Sequence, residues 1–198
     1  SFLTVGTCTL NFNQAGNTNW LAATQVQQSF LVGKGSQTIT APSAPSGAWS
    51  STLSVATTAT SGLTVSYALG AGSTATGCAV NSSGVVSATS AGTCVITLSQ
   101  AGNTNWLAAS NVTATATFTA SAQTITVTST APAAAVVAGA TYTPTATATS
   151  SLSVAITVDA TSSAVCSISG GVVSFLTVGT CTLNFNQAGN TNWLAATQ

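Results

Sequence analysis

Charge is what this chain almost lacks. Its 198 residues hold one basic side chain, Lys34, one acidic side chain, Asp159, and no histidine; an ordinary globular chain is about 25% charged. Nucleic-acid binding rests on Lys and Arg neutralising phosphates, so neither nucleic acid nor an anionic membrane surface is an expected partner. General acid–base catalysis draws mainly on His, Glu, Asp, Lys, Tyr and Cys. With no histidine and no second carboxylate near Asp159, the many hydroxyls have no base to activate them, and no residue is assigned a catalytic role. Calcium asks for about six to eight oxygens, usually with several carboxylates, and zinc for Cys and His at short spacings. No C-x-x-C occurs, so no metal or other cofactor is expected. Long apolar runs are missing as well. The longest, residues 131–140 (APAAAVVAGA), contains Pro132 and falls well short of the roughly 20 residues that span a bilayer, so membrane insertion is not expected. Helical periodicity is found in no segment.

The chain is nonetheless 45% hydrophobic with a formal net charge of zero, the opposite of the low hydrophobicity and high net charge that mark disorder. Ser, Thr, Ala, Asn and Gln stand where charge would be. Such a surface has little like-charge repulsion to hold copies apart, and association between copies is favoured.

What is present is repetition. Residues 1–25, SFLTVGTCTLNFNQAGNTNWLAATQ, return letter for letter as residues 174–198, an offset of 173. A looser copy occupies residues 91–110 (AGTCVITLSQAGNTNWLAAS), and SQTIT at 36–40 recurs as AQTIT at 122–126. The 173-residue period is therefore a pair of related modules. The expected organisation is the C-terminal part of a second-type module over 1–35, a complete first-type module over 36–120, and a second-type module over 121–198 that lacks its last strand. That strand is expected from the continuing chain or from a neighbouring copy.

Within each module the pattern is that of strands. Cys8, Leu10 and Phe12 alternate with Thr9 and Asn11, the period-two signature of a half-buried strand. QAGNTNW reads as a polar turn, and 26–32 as the strand after it. In the complete module, strands are expected over 37–40, 53–58 and 63–69, in a hairpin of 78–80 with 85–87, and over 93–99 and 112–119. The second module repeats these at Leu152, Val154, Ile156 and Val158 and in a hairpin around 169–171, and adds a Thr-alternating strand over 141–149. About seven short strands per module, separated by turns, argue for an all-β chain of β-sandwiches with Greek-key connections.

The cysteines follow the period. Cys78 and Cys94 lie 16 apart, and Cys166 and Cys181 lie 15 apart at the matching place. Cys8 is the periodic equivalent of Cys181, so its partner is expected before residue 1. This recurrence favours a disulfide within each module and an oxidising, extracellular setting over reduced cysteines buried as small apolar residues.

Trp20, Trp106 and Trp193 recur in the same Asn-Thr-Asn-Trp loop. Each is read as a plug for the module end or the junction with the next module; the alternative is a stacking platform for glycans. Trp49, beside Gly47 and Pro45, has no counterpart in the other module and is expected to touch a neighbour. Thr rows at 113–119 and 141–149 are ordinary strand surface by default, with ice binding and O-linked glycans as the other readings. Asn81 and Asn111 fit the N-glycosylation pattern.

The combination of a Cys and Gly-turn, GTC, QAGN six residues beyond that second Cys, an aromatic with LAA, and SQTIT across a short linker resembles the bacterial immunoglobulin-like repeats of very long surface and secreted proteins. The resemblance covers essentially the whole chain twice over. It implies tandem immunoglobulin-like sandwiches and a role in stalks, fibres or adhesins. The resulting expectation is a structural protein, an extracellular filament or stalk whose partners are other copies of itself. The alternative is an adhesin module that holds glycans or another cell through the Trp loops.

Overall fold

The computed structural model describes residues 1–196; Thr197 and Gln198, the last two positions of the second verbatim copy, lie outside the described residues. Regular structure among the described residues is all β apart from one 3-10 turn, Ala160–Ser162. Residues 1–35 contribute an antiparallel pair, β1 (Gly6–Phe12) and β2 (Val26–Val32), in the register Gly6↔Val32, Cys8↔Phe30, Leu10↔Gln28, Phe12↔Val26.

Seven further strands follow over residues 36–120. They are β3 (Ser46–Ala48), β4 (Leu53–Ser54), β5 (Ser66–Leu69), β6 (Ala79–Val80), β7 (Val85–Ser87), β8 (Gly92–Ser99) and β9 (Val112–Thr119). They form a four-stranded sheet in the order β3-β9-β8-β5 and a three-stranded sheet in the order β4-β7-β6. Alternation decides which side chains go inside. Cys94, Ile96 and Leu98 on β8 and Ala114, Ala116 and Phe118 on β9 are buried, while the Thr residues between those of β9 face outward. They meet Val86 of the other sheet and Val55, just beyond the end of β4, in a single apolar cluster. Each large apolar side chain buried there contributes about 1.5–3 kcal/mol.

Several expected strands are shorter than their alternation suggests, because local partners take the backbone donors. Residues 37–40 make only a bridge, Ile39 to Ala59, and Pro42 soon follows with no N–H to offer a ladder. Strand β4 stops after two residues: the Val55 N–H goes to the Gly84 carbonyl and the Thr57 N–H to the Tyr67 hydroxyl. Conversely, β3 arises in a Gly/Ser/Pro-rich stretch with no alternation. It pairs parallel to the end of β9, Gly47 opposite Phe118. A Cβ at Gly47 would lie 2.9 Å from Leu53 Cδ2, so the glycine leaves room for the Leu53 side chain beside β3.

Residues 121–196 carry β10 (Ile125–Val127), β11 (Ala146–Ala148), β12 (Ala155–Val158), β13 (Cys166–Ser169), β14 (Val172–Phe175) and β15 (Leu183–Asn186). They pair two by two as β10-β11, β12-β15 and β13-β14. The Thr-rich 141–149 segment is split: Tyr142 bridges to Val173 and only Ala146–Ala148 is strand, with Pro144 buried between them and unable to donate. The buried apolar residues here are few: Pro144, Ala148, Cys166 and Val173.

Candidate functional site

The repeated motifs converge where one repeat meets the next. The loop comes first. In QAGNTNW the first Asn folds its side chain back on the turn: Asn103 Oδ1 accepts from the Asn105 and Trp106 N–H groups at 2.9 and 3.0 Å. Asn17 and Asn190 make the same two bonds at the same distances in their own loops. The preceding glycine is required on two counts. Gly102 has φ of +76°, and a Cβ there would lie 2.4 Å from the Trp106 carbonyl oxygen. The loop is a rigid bracket.

A glutamine pair fastens this bracket to the start of its own unit. Gln37 of SQTIT is buried, and its Nε2 donates to Gln100 Oε1 and to the Leu107 carbonyl, both at 2.6 Å, while the Ser61 hydroxyl donates to its Oε1. Gln100 Oε1 also accepts from the Gly102 N–H. One period later Gln123 repeats the set with Gln187, Leu194 and Ser150. Buried amides of this kind are tolerated only when their donors and acceptors are satisfied. The two sequence markers recur together because they are two halves of one polar network.

The third Asn-Thr-Asn-Trp element reaches backward. Asn105 Oδ1 accepts from the Val5 N–H at 3.3 Å, and its Nδ2 donates to the Leu3 carbonyl. Asn192 makes the equivalent bonds to the Ala91 N–H at 2.9 Å and to the Thr89 carbonyl at 3.2 Å. The linkers are held as well. The Gly35 N–H donates to the Asn105 carbonyl and the Leu107 N–H to the Gly35 carbonyl; Ser121 makes the same pair with Asn192 and Leu194. Two successive junctions thus share one hydrogen-bond pattern. Lys34 adds a bond from Nζ to the Asn103 carbonyl at the first junction.

The tryptophans line these junctions. Trp106 lies against Gly35, where an added Cβ would come within 2.9 Å of its ring. Trp193 meets Trp49 edge to face, with ring centroids 6.3 Å apart, so the expected neighbour of Trp49 is the next repeat in the same chain. Trp20, in the first copy of the loop, is 72% exposed.

The cysteines divide as the period predicts. Cys78–Cys94 and Cys166–Cys181 are disulfides, and Cys8 is a free, half-buried thiol. The two bridges suggest an oxidising, non-cytoplasmic environment. Among the described residues no helix is long and apolar enough to cross a membrane. Asn81 and Asn111 are both exposed; Asn81 Oδ1 caps the β6–β7 turn by accepting from the Ser83 and Val85 N–H groups. Asp159, at the end of β12, caps the 3-10 turn. Hydrogen bonds from the Thr161 hydroxyl, the Asn184 amide and the Thr161 N–H hold its carboxyl down from 3.8 to about 2.

No family model matches the chain, and no curated protein or solved structure matches it. The residues that sequence reading passed over are Gln37, Gln100, Gln123 and Gln187 and the reaching Asn105 and Asn192. Their signal was recurrence without variation: QAGNTNWLAA stands unchanged at 14–23, 100–109 and 187–196, and QTIT at 37–40 and 123–126.

Proposed function

We propose that the chain is a structural protein, a stretch of an extracellular filament or stalk built from tandem immunoglobulin-like β-sandwiches. The observation that carries this reading is the identity of the two junctions. The same Asn, linker and Trp-loop contacts recur from one unit to the next, so each addition repeats one geometry. Arrays of this kind owe their stability to each unit and to its nearest-neighbour interfaces. Several further features support it: a four-stranded and a three-stranded sheet on one core, a disulfide at the same place in the two units, and a surface with almost no charge to oppose lateral association. The Trp loops act as packing elements at the junctions, which weighs against a glycan platform, since Trp106 and Trp193 are engaged with the chain itself.

Electron microscopy of native surface or culture material tests the reading. The expected result is long fibres of uniform width whose axial repeat corresponds to two units, roughly 60–80 Å for strands of about eight residues at 3.3 Å each plus loops. Their width should barely change between low and high salt. Fibres that dissolve as salt is varied would refute it, and short isolated stalks would move the weight to the adhesin reading.

A further inference from the structure

One polar motif on the surface takes no part in the joints. Asn111-Val112-Thr113 is an Asn-x-Thr acceptor pattern for N-linked glycosylation. Asn111 immediately precedes β9 and is exposed. Thr113, two residues on, is exposed on the outer face of β9 opposite Thr97 of β8. Neither the Asn111 amide nor the Thr113 hydroxyl has a hydrogen-bond partner among the described residues. The segment that leads from the Trp loop towards this position stays at the surface of a joint. At the second junction, where the complete unit over 36–120 stands in front, Leu194 and Ala195 are exposed just as their equivalents Leu107 and Ala108 are.

The other acceptor pattern, at Asn81, is built differently. Asn81 Oδ1 accepts from the Ser83 and Val85 N–H groups at 3.0 and 2.9 Å, and the Gly84 N–H donates to the Asn81 carbonyl. Its side chain is part of the β6–β7 turn, and use of it as an acceptor requires that turn to open. The bridges Cys78–Cys94 and Cys166–Cys181 suggest a non-cytoplasmic setting, and it is on surface loops of secreted proteins that such acceptors are used.

We propose that Asn111 carries an N-linked glycan, set once in each 173-residue period. The second-type unit has Gln25 and Gln27 at the equivalent positions and offers no acceptor there. In the transfer, Asn111 Nδ2 attacks the anomeric carbon of a lipid-pyrophosphate-linked oligosaccharide. A C–N bond forms as the C–O bond to the pyrophosphate breaks; the pyrophosphate leaves with the electron pair, and the amide gives up one proton to solvent. The glycan supplies what the side chains lack. A surface with almost no charge does little to hold copies apart, and a bulky, solubilising sugar beside every second joint sets a minimum distance there. That packing role rests on the filament reading, whereas the site itself does not.

Mass spectrometry of the native protein tests it, on chymotryptic peptides because Lys34 is the sole tryptic site. The peptide holding Asn111 should carry a glycan mass and release sugar fragment ions, and the peptide holding Asn81 should be bare. In the producing organism Thr113→Val should abolish the modification, Thr113→Ser should retain it, and Thr115→Val should leave it unchanged. A bare Asn111 in the native protein would overturn the proposal, as would equal modification of the Thr113→Val variant or a glycan at Asn81 alone. Fibres of the Asn111→Gln variant should gather side by side; unchanged spacing between them would overturn the packing role. Electron microscopy of the same native material keeps the two readings apart. Uniform fibres with a bare Asn111 would leave the filament and remove the glycan, and a glycan on material without fibres would leave the site and remove the filament.

Discussion

Replacing Gln37 with Leu removes the centre of the network that joins SQTIT to QAGN while nearly conserving side-chain volume. The Leu107 carbonyl and the Ser61 hydroxyl each lose their bond to Gln37. Gln100 keeps its bond from the Gly102 N–H. Each buried group left without a partner costs about 1–3 kcal/mol. Both groups here are only partly buried, so water recovers some of that cost, and the new apolar contact of Leu recovers more. A net loss of about 2 kcal/mol follows, which for a unit of this size lowers the melting temperature by roughly 8–16 °C. Thermal unfolding followed by circular dichroism, under oxidising conditions, measures it. Gln123→Leu should behave alike, because Gln187, Leu194 and Ser150 repeat the arrangement. Gln27→Leu, whose amide meets Asn11 on the exposed surface of β2, should stay within about 0.5 kcal/mol. A shift below about 4 °C for Gln37→Leu, or one no larger than that of Gln27→Leu, would refute the argument that this network holds the repeat together.

Other expectations follow from the same geometry. Opening the Cys78–Cys94 bridge by Cys→Ala at both positions, which frees a loop 16 residues long, should cost about 3 kcal/mol in the chain-entropy account, read as a lower denaturation midpoint for the unit over residues 36–120 that reductant no longer changes, while the unit holding Cys166–Cys181 stays sensitive to it. Stability should be flat from about pH 5 to 9, since no histidine titrates. Asp159, held at about 2, contributes fully above its ordinary value near 4, and that contribution is lost as pH falls towards 2; denaturation midpoints against pH would show this acid limb, and Asp159→Asn should abolish it. Asn105→Ala with Asn192→Ala removes the backward bonds at both junctions, each worth about 0.5–1.5 kcal/mol. Small-angle scattering should then show a broader distribution of chain dimensions while each unit keeps its own melting transition.

Much of the chain's β character was legible because alternation is a local signal. In VTATATFT every second residue is apolar and the others are Thr, and those residues divide between core and solvent accordingly. The cysteine pairs were legible from the period alone. What escaped was whatever depends on a partner distant in sequence. Strand β3 exists because the end of β9 offers it a free edge, and nothing in PSGAWS alternates. Residues 55–58 read as strand, yet the Val55 and Thr57 donors are taken by the Gly84 carbonyl and the Tyr67 hydroxyl. The buried glutamines look like surface loop residues until Gln100 and Gln37 are seen 2.6 Å apart.

The clearest division lies in seven residues that occur twice. Sequence by itself determined that GTCTLNF is a strand former with one apolar face and that its cysteine, where a partner is within reach, closes a bridge. Tertiary structure alone decided how much of it becomes strand. At Gly6–Phe12, with β2 alongside, all seven residues are in the ladder and Cys8 is a free thiol. At 179–185 the same letters begin their strand only at Leu183, and Cys181 is bonded to Cys166. The reason is that a strand is not stabilised within itself. Its backbone groups are satisfied only by a neighbour, and the ladder with β12 reaches no further than Leu183.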